Sequence, residues 1–178
     1  QKKTVCTGYA YLIKELSNLA NIKCEIVNGY GRTAETDFST SVIPNHSWNA
    51  VELNSKWYLC DATWSSGVFD LNKNTFILDY NDGYFLTNPK DFLKNHFPLD
   101  SKWQLDEEKL NFVDFKEFPL VYGESFKNNL ISIFPLKMNL EIQNGDEINF
   151  QLKKNLPSLR DIYLSCLVFR VQKSQQVI

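Results

Sequence analysis

The chain is short of the residues that build metal sites. It has two histidines and four cysteines in 178 residues, with no C-x-x-C pair and no H-x-x-x-H. A structural zinc centre draws four such ligands from close spacings, so none is expected, and no calcium-site pattern is evident either. Long apolar runs are missing as well. The stretch 130–136 is broken by Ser132 and Pro135 and is far too short to cross a bilayer. Nor is there an excess of one charge: 19 basic residues face 21 acidic ones, interspersed, for a net charge of −2. That balance removes the electrostatic case for nucleic acid or an anionic membrane surface as partner. No repeat or low-complexity segment is visible. An initiator methionine is absent too, and both ends read as cut. The lack of a leader therefore says nothing about compartment, which is unknown with export slightly favoured, and oligomeric state is equally open.

What is present is apolar side chain, at 43% hydrophobic and 14% aromatic, enough for a real core in one domain or one and part of a second. Tyr9, Leu12, Ile13, Leu16, Leu19 and Ala20 recur at helical spacing, which predicts an amphipathic helix from Cys6 to about Asn21 with Thr4 as cap. A strand follows over 23–30, then a polar loop over 31–45 of the length common in binding loops and lids. Two strand-like runs, 47–53 and 56–62, flank Asn54-Ser55, a hairpin signal. Short strands are expected at 76–80 and 84–86, and Asn88-Pro89 opens a short helix to about 95. From Pro119 the pattern is strands alone, at 130–134, 139–143, 147–152 and 162–171, with a turn at Asn144-Gly145-Asp146. The expected class is α+β, with an α+β domain over 1–118 and a β-rich domain over 119–178.

The hairpin permits a register calculation. Opposed residues about Asn54-Ser55 sum to 109, so Trp48 faces Asp61, and His46 and Asp61 are diagonal neighbours on one face. Such diagonals span ~7–8 Å, within reach of an imidazole and a carboxylate. An Asp bonded to one ring nitrogen fixes the tautomer and leaves the other nitrogen as a base. Cys6, in the first turn of its helix, feels the positive end of the dipole, which favours thiolate. Cys6, His46 and Asp61 together would support acyl transfer through a thioester. Singly, each has a plainer role: Cys6 as a small hydrophobe like Cys24 and Cys60, His46 as a bridge on the sheet, Asp61 as a backbone acceptor. His96 is a rival base, but it follows a short helix without a fixed acid partner and reads as a helix C-terminal residue. Trp48, Trp57, Tyr58 and Trp64 read as hairpin packing.

Three runs carry a resemblance: Val5-Cys6-Thr7-Gly8-Tyr9-Ala10, Asn45-His46-Ser47-Trp48-Asn49-Ala50-Val51, and residues 56–64 with Cys60-Asp61-Ala62-Thr63-Trp64. Together they resemble the transglutaminase-like superfamily, and within it members of the kyphoscoliosis-peptidase type. Tyr84-Phe85-Leu86 and His96-Phe97-Pro98 fit the same subgroup, so the likeness covers about 4–115. It implies a papain-like α+β fold with Cys6 as nucleophile, His46 as general base and acid, and Asp61 as orienter, without cofactor or metal. It implies a protein or peptide substrate, cleaved, deamidated or cross-linked. Animal transglutaminases have Trp directly after the Cys, where this chain has Thr7, which weighs against cross-linking. The Cys6 N–H is one oxyanion donor, and Gln1 is a second candidate. The region after 119 resembles an immunoglobulin-like sandwich. Two alternatives stand beside this reading: a catalytically silent scaffold for protein binding, and an arylamine-acetyltransferase-like enzyme, which would need an acyl-CoA pocket.

Overall fold

The computed structural model describes residues 5–38, 42–70, 73–141, 143, 145–154 and 162–170, with Phe69 and 162–170 described by backbone alone. Helix α1 spans Cys6–Leu19 and is preceded by Val5 in extended conformation, without a side-chain cap. Thr4, the expected cap, lies outside the described residues. Asn21 closes the helix at φ 56°, as an Asn in the left-handed region can. The apolar stripe is split by packing. Ala10 is buried and Ile13 is partly buried against the core, whereas Leu12, Leu16 and Leu19 stay exposed.

Strands β1 (Cys24–Gly31), β2 (His46–Leu53) and β3 (Lys56–Cys60) follow, then α2 (Ala62–Ser66), the small hairpin β4 (Gly67–Asp70) and β5 (Thr75–Leu78), β6 (Phe85–Thr87), α3 (Pro89–Phe92) and β7 (His96–Pro98). The main sheet runs β6-β3-β2-β1-β7, antiparallel at every pairing. Helices α4 (Phe112–Glu117) and α5 (Gly123–Lys127) lead to a second antiparallel sheet of β8 (Leu130–Phe134), β9 (Glu147–Lys154) and β10 (Ile162–Arg170). The fold is mixed α and β with antiparallel sheets, consistent with α+β. No helix among the described residues is long and apolar enough to cross a membrane.

The β2–β3 register follows the hairpin arithmetic from Leu53↔Lys56 to Asn49↔Cys60. Asn54 and Ser55 both take positive φ, at 51° and 62°, the turn geometry that matches strand twist. Strand β2 is central, and its first six residues are buried. On one side Cys24, Val51 and Cys60 pack with Ile13 of α1; in the larger cluster Val27, Trp48, Ala50 and Leu59 pack with Tyr84, Phe92, Val121 and Phe126. Each such large side chain contributes roughly 1.5–3 kcal/mol by leaving water.

Four local expectations change. Strand β3 stops at Cys60, because the Asp61 side chain accepts from the N–H groups of Thr63 and Trp64 and starts α2 there. The helix at Asn88 is shorter than expected, ending at Phe92, and His96 opens strand β7 instead of closing a helix. Two unexpected helices occupy 112–127; α4 is capped by Asn111, whose side-chain oxygen accepts from the Asp114 N–H. Finally, the described residues of 139–143 form no strand.

Arg32, just after β1, ties distant segments together. Its guanidinium is buried and donates to the carbonyls of Phe115, Lys116, Phe118, Pro119 and Lys94, at 2.6 to 3.3 Å. Its own N–H bonds the Asn95 carbonyl at 2.8 Å.

Candidate active site

Three elements meet at one end of the main sheet. Cys6 is the first residue of α1 and is half-buried. His46 is the first residue of β2, and Asp61 follows β3 as the N-cap of α2, 8% and 1% exposed. The hairpin brings the last two together, and His46 Nε2 lies 2.6 Å from Asp61 Oδ2. With Nε2 donating to the carboxylate, Nδ1 is the ring nitrogen left for the thiol. Asp61 Oδ1 is occupied by the N–H groups of Thr63 at 2.8 Å and Trp64 at 3.2 Å. The cap that starts α2 thus aims the other oxygen at His46.

The electrostatics follow from these bonds. Hydrogen bonding to His46 lowers the Cys6 thiol pKa against the opposing effect of burial, helped by the main-chain N–H groups of Ser47 and Thr7. Burial works to lower His46, yet its bonds to Asp61 and Cys6 outweigh that and raise it to about 9. Burial works to raise Asp61, while the two imidazoles beside it hold it well below the usual carboxylate range. Cys60, one residue away, is pushed up to about 12 by burial, and Cys24 is raised by the same cause. Of the described thiols, Cys6 is therefore the one poised to ionise.

The second imidazole is His96, which the sequence did not connect to this site. It is fully buried, with Nε2 3.1 Å from Asp61 Oδ2 and Nδ1 2.7 Å from Asn95 Oδ1. Its ring stacks on Phe92 at 4.0 Å, with Trp64 at 4.4 Å and Trp48 edge-on at 5.1 Å. Trp64 also lies 5.0 Å from the His46 ring, so it walls the site from α2 as well as packing against the core cluster that holds the hairpin residues Trp48, Ala50 and Leu59. Trp48 is buried in the sheet core, and Trp57 packs edge-on against Trp103. The pairing Gly31↔His96 delivers the second histidine from β7, across β1 from His46. That pairing is non-local, and no turn motif announces it. His46, Asp61 and His96 hold ligand-type atoms within 4.8 Å, the one such grouping among the described residues. Their contacts at 2.6 and 3.1 Å are hydrogen bonds. Gln1 lies outside the described residues.

An apolar cavity of about 530 Å³ opens beside this centre, lined in part by Ile13, Leu16, Val51, Ser65, Tyr80 and Leu86. Of the exposed leucines of α1, Leu16 faces it.

No family model matches the chain. The chain is 33% identical over 160 residues to the mouse (Mus musculus) kyphoscoliosis peptidase, covering 89% of this chain and 24% of that protein. To the human (Homo sapiens) kyphoscoliosis peptidase it is 36% identical over 146 residues, covering 81% and 22%. To the LIM and transglutaminase domain protein ltd-1 of Caenorhabditis elegans it is 28% identical over 135 residues, covering 69% and 19%. The chain thus spans no more than about a quarter of the length of these relatives. On the strength of these relatives the chain belongs to the transglutaminase-like superfamily.

Proposed function

We propose that the chain has a papain-like, transglutaminase-type core over 1–118, followed by a β-rich domain over 119–178, and is a cysteine-dependent acyl-transfer enzyme. Its substrates are peptide or protein amide bonds, and Cys6, His46 and Asp61 act as nucleophile, base and orienter. The observation that carries this reading is the His46–Asp61 bond at 2.6 Å beside a thiol whose pKa His46 lowers.

The Cys6 thiolate attacks the amide carbon while protonated His46 stands beside it. Charge builds on the carbonyl oxygen, and the Cys6 N–H, an orphan donor of the first helical turn, is placed to bond it. His46 then gives its proton to the leaving amine, and a thioester remains. Water or a second amine attacks that thioester with His46 as base. Asp61 keeps the ring oriented and stabilises its charged form throughout.

The experiment is turnover of a panel of peptide and glutamine amides, with and without an added amine, beside the Cys6→Ala variant. Backbone cleavage identifies a peptidase, ammonia release alone a deamidase, and amine incorporation a transglutaminase. Intact-mass detection of an acyl adduct on wild type, absent from Cys6→Ala, supports the thioester. No turnover and no adduct with any substrate, alongside measured binding of a protein partner, would replace the enzyme reading by a scaffold.

A further inference from the structure

The protons of the buried His46, Asp61 and His96 trio can be counted from its hydrogen bonds. Asn95 Nδ2 donates to the Val121 carbonyl at 2.7 Å and to Tyr84 Oη at 3.2 Å. Turning the amide over would set two oxygens face to face at 2.7 Å, so the amide orientation is fixed. Asn95 Oδ1 is then the atom that meets His96 Nδ1, and as an acceptor it requires an N–H there. The other nitrogen faces Asp61 Oδ2, which already accepts from His46, while Oδ1 accepts from two amides. A carboxylate with three donors on it is ionised, and it too requires an N–H on His96. A bare lone pair would otherwise stand 3.1 Å from a carboxylate oxygen, with both residues sealed from water.

We infer that His96 carries a proton on both ring nitrogens, the one on Nε2 shared with Asp61, and so acts as a positioning residue that sets how much negative charge Asp61 presents to His46. The inference rests on the proposed roles of Cys6, His46 and Asp61. The groups facing His96 are Asp61 after β3, His46 of β2 with ring centres 5.3 Å apart, and Tyr84 at 5.8 Å; the other neighbours are Asn95 and the aromatic rings of Phe92, Trp48 and Trp64. Burial is the larger effect and, with the nearby His46, holds His96 below the usual imidazole range, at about 4, while the Asp61 carboxylate and the Phe92 main chain favour the proton. The two acceptors facing the ring nitrogens, Asn95 Oδ1 and Asp61 Oδ2, are what keep it. Kept, it draws Asp61 away from His46 and repels the charge on His46. The His46–Cys6 ion pair is then less tightly locked, and His46 gives up its proton to a leaving group more readily.

The test is His96→Gln, since Gln can retain a donor toward Asp61 Oδ2 but cannot hold a charge. Removing a positive charge raises the pKa of every neighbouring acid. The basic limb of the pH profile, for Cys6 alkylation by iodoacetamide and for amide turnover, should move up by roughly two pH units. This is the size of a unit charge at 5.3 Å in an effective dielectric of ~20. The acid limb should move the same way by less. The chain has two histidines, so ¹⁵N-histidine labelling of wild type gives four ring-nitrogen signals, assigned by the pair lost in His96→Gln or, failing that, in His46→Gln. Both His96 nitrogens should be protonated at pH 7. A bare His96 nitrogen at that pH, or an unmoved basic limb in folded His96→Gln, overturns the inference. If His96→Gln does not fold, the wild-type spectrum decides. Wild-type Cys6 alkylating as an ordinary thiol, with a midpoint near ~8.5, would defeat the proposed site itself, and the nitrogen spectrum would still decide how His96 is protonated.

Discussion

Residues 95 and 96 stand between two buried charges, Arg32 and Asp61, which are neutralised in different ways. Arg32 meets five main-chain carbonyls, and Asp61 meets two imidazoles and two amides. Both arrangements offset the cost of taking a charge out of water, and both fail if partners are removed. Carbonyls do not titrate. The Arg32 region is therefore a fixed tie, holding the end of β1 to 94 and to 115–119 at any pH in which the protein folds. Imidazoles do titrate, so the charge around Asp61 can be redistributed within one bonded set. The difference separates a buried charge that builds the fold from one whose surroundings can move a proton.

The largest effect is expected from removing the nucleophile. Cys6→Ala should reduce acyl transfer to background, while the melting temperature stays within about 2 °C of wild type, because Cys6 is half-buried and Ala is a good helix former. Calorimetry beside the amide panel measures both. A large loss of stability would mean that the Asp61 region serves folding as Arg32 does.

Next in size is Asp61→Asn, which keeps a cap for α2 but removes the charge. In a serine protease the equivalent change lowers kcat by ~10⁴, which sets the scale. The variant should also change the pH dependence of stability. Asp61 is depressed in the folded state, so its contribution is present above its unfolded pKa near ~3.9 and fades as pH falls through the folded value. His46 is raised to about 9, so its contribution is whole below ~6.5 and is lost as pH rises through about 9. Urea midpoints from acid to alkaline pH should fall at both ends in wild type and flatten in Asp61→Asn. An unchanged profile would show that these groups are not coupled to folding.

Arg32→Met is the counterpart and should cost about 3 kcal/mol, because several buried carbonyls lose their donor. That corresponds to roughly 6–12 °C in melting temperature for a chain of this size. The loss should be uniform with pH, and activity per folded molecule should be preserved. A loss that varied between acid and alkaline pH would merge the two regions and sink the contrast.

The legible part of this site is its local part. Asn54-Ser55 sets the β2–β3 register, and the register sets His46 beside Asp61. The start of α2 could have been read as well, since Asp61 is followed by a helical turn whose amides it caps. Asn111 followed by Asp114 was a similar missed signal for α4; the two side chains bond at 2.7 Å as well as through the cap. His96 was hidden for another reason. It reaches Asp61 through β7 pairing with β1, 35 residues along the chain from the carboxylate, and nothing local specifies that register. Its neighbours Phe92 and Asn95 mimic the end of a helix. In 139–143, Leu140 and Ile142 alternate with polar residues as strands do, yet Leu140 is among the exposed apolar side chains, so it gains little by pairing into a sheet.

The smallest effect is expected at Gly31, where the fold region touches the site region. A Cβ there would stand 3.0 Å from His46 Cβ and Cγ and 3.1 Å from Cδ2. Gly31 is a strand residue paired with His96 and bonded through its N–H and carbonyl to the Asn45 side chain, so alanine disturbs none of its backbone bonds. What must give is the His46 ring, by a few tenths of an ångström. That ring is held on the other side by Asp61 and by Trp64, which limits the shift. A misplacement of ~1 Å costs on the order of 10²-fold in rate, so Gly31→Ala should lower kcat by roughly three- to tenfold. KM should hold, and stability should change by less than about 1 kcal/mol. Steady-state kinetics beside urea unfolding reads both quantities. A large loss of stability with kcat intact would place the strain in the sheet and not on the imidazole. The border between the two regions would then lie on the far side of His46.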